Sequence, residues 1–362
     1  MNQDNINRTF ISEKIKYLRD KSLKRKKLNK ELLNIPVAYW IKEDRLMNAI
    51  GKEFTVILRT PGCYWALGET GGCSMCGYIE DAYLGKITSE NLIEQFEYAL
   101  NKKIEEINQD ASPYVLKIFN SGSFFDKREI PEKTAEILFK KIKEIPNIKE
   151  VVLESRPEFI TEKSVNLLTQ YLEDKYVEIG IGIETINDHI RNSYINKGLK
   201  YDTFLNAVDL LKNYKIGIKA YLLFKPPFLT EQAAIDDCGL SIRELINLNI
   251  ETISINPINI QKGSLVEYLW HQKRYRPPWF YSLFECLEQY LTQNDLKNVR
   301  ILSDPSGAGT QRGIHNCANY ECNKLMQEHL REFVFSQDLK RLRDIEDFCE
   351  CKKEYELKMN FL

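Results

Sequence analysis

The sequence predicts an α/β protein built as a partial (β/α)6 barrel, and three observations carry that expectation. Six short apolar runs alternate with longer amphipathic stretches. The runs are nearly continuous in apolar residues, as strands of a parallel sheet covered by helices are. Small, polar or charged segments follow the runs, and such barrels gather their chemistry at the C-terminal strand ends. With 362 residues the chain is long enough for that barrel and accessory lobes. The expected division is a basic helical extension over 1–50, the barrel over 51–275, and a C-terminal cysteine-containing lobe over 276–362.

Each element has its own signal. Phe54 to Arg59 reads as the first strand, and Asn91 to Ile104 has the i, i+3, i+4 spacing of a helix. Tyr114 to Phe119 is the second strand, followed by a helix opening at Pro131, whose fixed φ suits a first turn. Glu150 to Glu154 is the third strand, with a helix over Thr161 to Leu172. Val177 to Glu184 and Ile218 to Phe224 are the fourth and fifth, the helix after the fifth capped near Thr230. Glu251 to Asn256 is the sixth.

Composition narrows the function classes. A 43% hydrophobic content is that of an ordinary folded protein. No apolar run approaches the roughly 18 residues of a membrane span, so no membrane partner is expected. Nine scattered cysteines suit reduced thiols and a cytoplasmic setting better than a disulfide framework. The net charge of −1 neither demands nor excludes nucleic acid. Yet Lys21, Lys24, Arg25, Lys26, Lys27 and Lys30 crowd one short acid-free stretch. Such a run can neutralise phosphates, or it can be a solvated helix face.

The chemistry concentrates in Cys63, Cys73 and Cys76, spaced C-x9-C-x2-C in the loop after the first strand. Three thiolates holding a [4Fe–4S] cluster would leave one iron open, whereas a zinc knuckle would need completion from elsewhere. Further strand ends carry Ser121, Gly122 and Ser123, then Glu154 and Arg156, then Glu184, then Asn256, Asn259 and Gln261. Singly, each has a structural account as a turn, cap or ion pair. Together they form a polar ring around one face. Cys317, Cys322, Cys349 and Cys351 look like a four-thiolate structural zinc site, with His315 as an alternative ligand and a second iron–sulfur cluster less favoured. Cys238 and Cys286 fall in helical stretches and read as core.

The motifs resemble the radical S-adenosylmethionine superfamily, in the branch of the Elongator catalytic subunit. "VEIGIGIETINDHIRNSYINKG" is similar to that branch's fourth-strand signature and "LESRP" to its ribose-side signature. More narrowly, "RTPGCYWALGETGGCSMCGY", "NSGSFFD", "NPINIQKGSLVEYLW", "YRPPW" and "RGIHNC" together resemble the radical subunit family of archaeosine synthase. The sequence departs from the superfamily's commoner motif in its nine-residue gap and in Met75, which stands where an aromatic is usual.

The resemblance implies a [4Fe–4S] cluster on Cys63, Cys73 and Cys76, with S-adenosylmethionine chelating the fourth iron. It implies that Ser121, Gly122, Ser123, Glu154, Arg156 and Glu184 receive the S-adenosylmethionine. The implied substrate is a transfer-RNA base, a 7-cyano-7-deazaguanine carrying a lysine adduct, cleaved at a carbon–nitrogen bond to archaeosine. Asn256, Asn259 and Gln261 are the candidates for substrate contact. The implied partners are the transferase that makes the adduct and an electron donor. Two other functions stay open: a different radical RNA-modifying enzyme, and a non-catalytic zinc-stabilised nucleic-acid-binding protein.

Overall fold

The computed structural model of the protein describes residues 10–24, 29–343, 345 and 349–361, without the side chains of 360 and 361. A helix, α1 (Phe10–Leu23), precedes an antiparallel pair, β1 (Ala38–Arg45) and β2 (Ile50–Ile57). From β2 onward every neighbouring pair is parallel and in chain order. The strands are β3 (Tyr114–Phe119), β4 (Ile148–Glu154), β5 (Tyr176–Glu184), β6 (Gly217–Phe224), β7 (Thr252–Pro257) and β8 (Arg300–Leu302). Between β2 and β3 run a single helical turn, α2 (Tyr64–Leu67), and α3 (Ser89–Gln109). One α-helix makes each of the next crossovers: α4 (Glu132–Lys143), α5 (Glu162–Leu172) after a 3-10 turn, α6 (Tyr201–Asn213) after a π-helical turn at Ile190–Tyr194, and α7 (Glu231–Asn247). Helices α8 (Leu265–His271) and α9 (Phe280–Tyr290) separate β7 from β8, and α10 (Tyr320–Ser336) and α11 (Cys351–Phe361) follow.

The six expected strands are all present, and the partial barrel is the observed fold. Two further strands flank them. β1 lies in the stretch read as helical extension, and β8 lies in the stretch read as C-terminal lobe. Local chemistry sets the helix starts as expected: Thr161 and Thr230 cap α5 and α7 by accepting from Ser164 N and Ala233 N. Pro131 sits at the N-cap of α4 rather than in its first turn.

The two faces of the sheet differ. Ile179, Ile181 and Ile183 of β5, with Ile218, Ala220 and Leu222 of β6, face the helices and join Phe96, Phe139, Leu168, Phe204 and Ile242 in one continuous core. Full burial of each such side chain contributes roughly 2 kcal/mol. The alternate residues turn inward, and here the strands are not apolar: Glu53, Lys117, Glu150, Glu178, Lys219 and Arg300 are all buried. Arg300 on β8 bonds Glu178 on β5 at 2.6 Å and approaches Glu150 on β4 at 3.4 Å. In a flat sheet those strands would stand about 14 Å or more apart, so the sheet must curl around a lumen. Arg300 also donates to the Arg45 carbonyl of β1 at 3.0 Å. Side chains therefore bridge the gap at this end, while no backbone ladder joins β8 to β1 among the described residues.

Candidate functional site

At the other end of the lumen the loop after β2 is held on three sides. Cys63 is the N-cap of α2. Ser74, between the other two cysteines, donates from its amide to the Ile195 carbonyl at 2.8 Å, and its own carbonyl accepts from Leu265 N at 2.9 Å. Asn196, in left-handed backbone, donates to the Gly72 carbonyl at 2.7 Å, and its carbonyl accepts from Trp65 Nε1 at 2.8 Å. The segment after β5 thus clasps the cysteine loop, which explains physically why the fourth-strand signature extends so far beyond the strand.

The third support is α1. Arg19 is buried, and its guanidinium donates to the Gly71 carbonyl at 3.0 Å and the Cys76 carbonyl at 2.7 Å. Ser22 bonds Glu80, and Ile15 packs beside Cys73 and Met75. The N-terminal helix, part of the stretch read as a basic helical extension, thus forms part of the wall of the ring of strand ends. Of the basic run, Lys21, Lys24 and Lys30 are described, and Arg25, Lys26 and Lys27 lie outside the described residues.

The three thiols lie within electrostatic reach of one another, and burial raises the pKa of each, that of Cys73 to about 11. Opposing that, Arg19 acts on Cys76, and Lys197 and Arg156 act on Cys73. Three cations therefore favour thiolates at this place, and Arg19 and Lys197 were not singled out by the sequence.

The other strand ends converge on the same mouth. A Cβ on Gly122 would lie 2.8 Å from Cys63 Cα and 1.9 Å from Glu129 Oε1, so no side chain fits there. Glu129, also unforeseen, is buried and accepts from Thr60 Oγ1, Asn120 Nδ2 and Ser123 N at 2.7 to 3.0 Å. One carboxylate thus fixes the β2 and β3 loops together. Glu184 adopts φ 66° at a register shift between β5 and β6, and its Oε1 accepts from Lys197 Nζ at 2.6 Å. A non-glycine residue held in that region stores strain, as functional sites often do. Glu154 lies deeper, beside Tyr221, and burial raises its pKa.

Not every expected contact residue is free to meet a ligand. Ser123 Oγ accepts from Arg156 N at 3.0 Å. The Arg156 side chain pairs with Glu158 at 2.5 Å, donates to the Lys197 and Gly198 carbonyls, and lies against Tyr64 and Trp65. Both therefore serve the framework. Gln261 accepts from Gly77 N at 2.5 Å and so braces the cysteine loop. Asn256 shares the inward parity of Thr252 and Ser254, whereas Asn259 lies off to the side against the Gly307 turn.

No family model matches the chain. It is 45% identical over 341 residues to an uncharacterized protein of Methanocaldococcus jannaschii, covering 94% of this chain and 90% of that one. It is 37% identical over 320 residues to the archaeosine synthase subunit beta of Methanosarcina acetivorans, covering 88% of each. With the subunit beta of Thermococcus kodakarensis it shares 36% over 320 residues, covering 88% and 96%. The chain belongs to the archaeosine synthase subunit beta family. That is the family the motifs resemble. Among solved structures, the archaeal Methanocaldococcus infernus Elp3 with an N-terminal deletion matches 66% of this chain and 58% of its own at 15% identity, with a TM-score of 0.48.

This family member carries its second cysteine group far from the first in sequence. Cys317 and Cys322 sit at the start of α10, and Cys349 and Cys351 at the start of α11. Their four sulfurs lie within 4.8 Å of one another, with Cys317–Cys349 and Cys322–Cys351 both at 3.7 Å. Among the described residues no other group of three or more potential ligand atoms is found gathered in this way. His315 is turned to the Gly313 carbonyl through Nδ1 at 2.8 Å, outside the group. Cys238 and Cys286 are buried, Cys286 against the Ile235 carbonyl. No described helix is long and apolar enough to cross a membrane.

Proposed function

We propose that this subunit is a radical S-adenosylmethionine enzyme of transfer-RNA modification that releases archaeosine from a lysine-adducted 7-cyano-7-deazaguanine base. The observation that carries the proposal is the meeting of three thiols, the Ser121–Gly122–Ser123 loop and the Glu184–Lys197 pair at one mouth of a polar lumen. The relatives named archaeosine synthase subunit beta support the substrate and a partner subunit.

The donor set fits a cluster. Cys63, Cys73 and Cys76 would hold it, because three half-buried thiols share one loop and Arg19, Arg156 and Lys197 offset the charge of bound thiolates. When bound, the cluster with S-adenosylmethionine supplies a carbon radical able to take a hydrogen atom from an unactivated position. The protein's own residues do the rest. Gly122 lets the β3 loop pack directly against Cys63 and Glu129, which fixes the loop beside the thiols, and Glu184, held by Lys197, presents a fixed carboxylate at the mouth. Deeper in, Glu154 and Lys219 offer one acidic and one basic group to the amino and carboxylate ends of a lysine arm. Overall, the arm's carbon next to the nitrogen would be oxidised by two electrons, one leaving with the hydrogen atom that the carbon radical takes and one passing to a one-electron acceptor such as the oxidised cluster, so that water could add there and the carbon–nitrogen bond break. An amidine base and a semialdehyde result. The transferase that installs lysine acts first, and an electron donor is required.

The test is nucleoside mass spectrometry after incubating anaerobically reconstituted protein with S-adenosylmethionine, a reductant and lysine-adducted transfer RNA. Archaeosine formation is expected. Cleavage of S-adenosylmethionine without archaeosine would favour a different radical RNA modifier. A colourless protein that binds RNA and never cleaves S-adenosylmethionine would favour the non-catalytic class.

A further inference from the structure

The second cysteine group has no part in the chemistry above, and its geometry is of another kind. A zinc–thiolate bond of about 2.3 Å sets tetrahedral sulfur–sulfur edges of about 3.8 Å. The two closest pairs stand at 3.7 Å, and all four sulfurs lie within 4.8 Å. Disulfides would need about 2.05 Å, so these pairs are not bonded. A cubane cluster spreads its thiolates over different irons and needs a wider set. From this we infer that Cys317, Cys322, Cys349 and Cys351 hold one tetrahedral zinc ion, and that the ion clasps the C-terminal helices to the end of β6.

The surroundings match a closed structural site. Asn316 Nδ2 points at Cys322 Sγ at 3.9 Å, and Tyr281 OH lies 3.6 Å from Cys351 Sγ. Trp279, Tyr281 and Tyr355 pack around the buried Cys322 and Cys351, while Cys317 and Cys349 are half-buried. Four thiolates on a divalent ion leave a double negative charge. Arg276 and Lys358, both over the Trp279 ring at 3.8 and 5.3 Å, stand nearby to offset it. Such neighbours of metal ligands orient them and tune their affinity.

The path from the clasp to the barrel is continuous. Asn323 donates to the Cys317 carbonyl at 2.8 Å and accepts from Asn316 N at 2.8 Å. Asn316 in turn accepts from Phe280 N at 3.0 Å, while Arg276 donates to the His315 and Asn316 carbonyls. The Arg276 carbonyl accepts from Lys225 Nζ at 3.0 Å, just beyond β6, and Tyr275 OH donates to the Lys225 carbonyl at 2.7 Å. The "YRPPW" and "RGIHNC" stretches, distant in sequence, are thus one hydrogen-bonded unit anchored on the thiols.

The experiment is metal analysis of three full-length proteins purified anaerobically from zinc- and iron-supplemented cells. Wild type should carry about one zinc per chain besides iron. The Cys63→Ala/Cys73→Ala/Cys76→Ala variant should lose its iron and keep the zinc. Cys322→Ser should lose zinc while its cluster absorbance and S-adenosylmethionine cleavage persist. If that variant fails to fold, thiol alkylation of wild type before and after a zinc chelator decides the matter: four cysteines should become reactive only after chelation. Iron retained in the triple variant, disulfides at the C-terminal pairs, or four freely alkylated thiols in zinc-free wild type would each overturn the inference. None of these outcomes depends on archaeosine synthesis, so failure of that proposal would leave this one standing.

Discussion

The two cysteine groups of this chain use one ligand chemistry in opposite ways. At the C-terminus four sulfurs are gathered within 4.8 Å, and the polar groups around them are occupied with one another. At the strand ends three thiols stand with the strained Glu184 at the mouth of a lumen that holds, further in, a buried lysine, Lys219, with no ion-pair partner among the described residues. The difference teaches how to separate a clasp from a reactive centre. A clasp satisfies its groups internally, whereas a reactive centre leaves charge and strain for something that arrives.

The sharpest way to break that comparison is to exchange the consequences. Cys73→Ala is expected to abolish S-adenosylmethionine cleavage with little change in melting temperature, because one of only three ligands is gone. Anaerobic assay of 5′-deoxyadenosine formation against thermal melting checks it. A fully active Cys73→Ala protein would end the assignment of the three thiols.

Next in size is Arg19→Met. Its guanidinium makes two hydrogen bonds across more than fifty residues of sequence, to Gly71 and Cys76. Bonds to charged groups contribute roughly 1.5–3 kcal/mol each, and the carbonyls left behind are enclosed. A loss of about 2–4 kcal/mol is expected in denaturant unfolding, with reduced iron per chain and unchanged C-terminal metal. Equal loss of both metals would show that α1 stabilises the whole fold rather than the cysteine loop.

Arg19 also marks the limit of what the sequence discloses. The six parallel strands were legible because apolar runs and caps such as Thr161 and Thr230 are local signals. The position of Cys63, Cys73 and Cys76 in the loop after the first parallel strand was legible because their spacing is local, and the strand ends that face them follow from barrel geometry. β8 was not, since three residues carry no periodicity, and β1 was masked by the charges on its half-exposed edge. The lumen's ion pairs were missed for a related reason. Arg300 meets Glu178 across the curl of the sheet, a contact that no spacing in the chain announces. The same holds for Glu129, whose partners come from two loops, and for Gln261, whose acceptor role toward Gly77 turns an expected substrate contact into a brace.

The smallest expected effect tests the idea that unpaired charge marks the reactive side. Lys219 is 4% exposed on the lumen face of β6, with Tyr221 as its aromatic neighbour. Burial lowers its pKa to about 8, assisted by the nearby Lys117 cation and opposed by Glu178 and Asp44. At neutral pH it is therefore mostly a cation, and it loses its charge as pH rises past about 8. If it receives the carboxylate of the lysine arm, that contact is present below this pH and lost above it. Lys219→Met should then raise KM for the adducted RNA roughly tenfold, the share of one charged hydrogen bond, with a smaller change in kcat. Wild-type kcat/KM should fall above pH 8 through this group, and the Met variant should lack that limb of the profile. Lys219→Arg, which stays charged throughout, should restore much of the affinity and also lose the limb. An unchanged KM in Lys219→Met would mean that Lys219 only balances the lumen's carboxylates, Asp44, Glu53, Glu150 and Glu178 against Lys117 and Arg300, and that the lumen, like the C-terminal group, is satisfied from within.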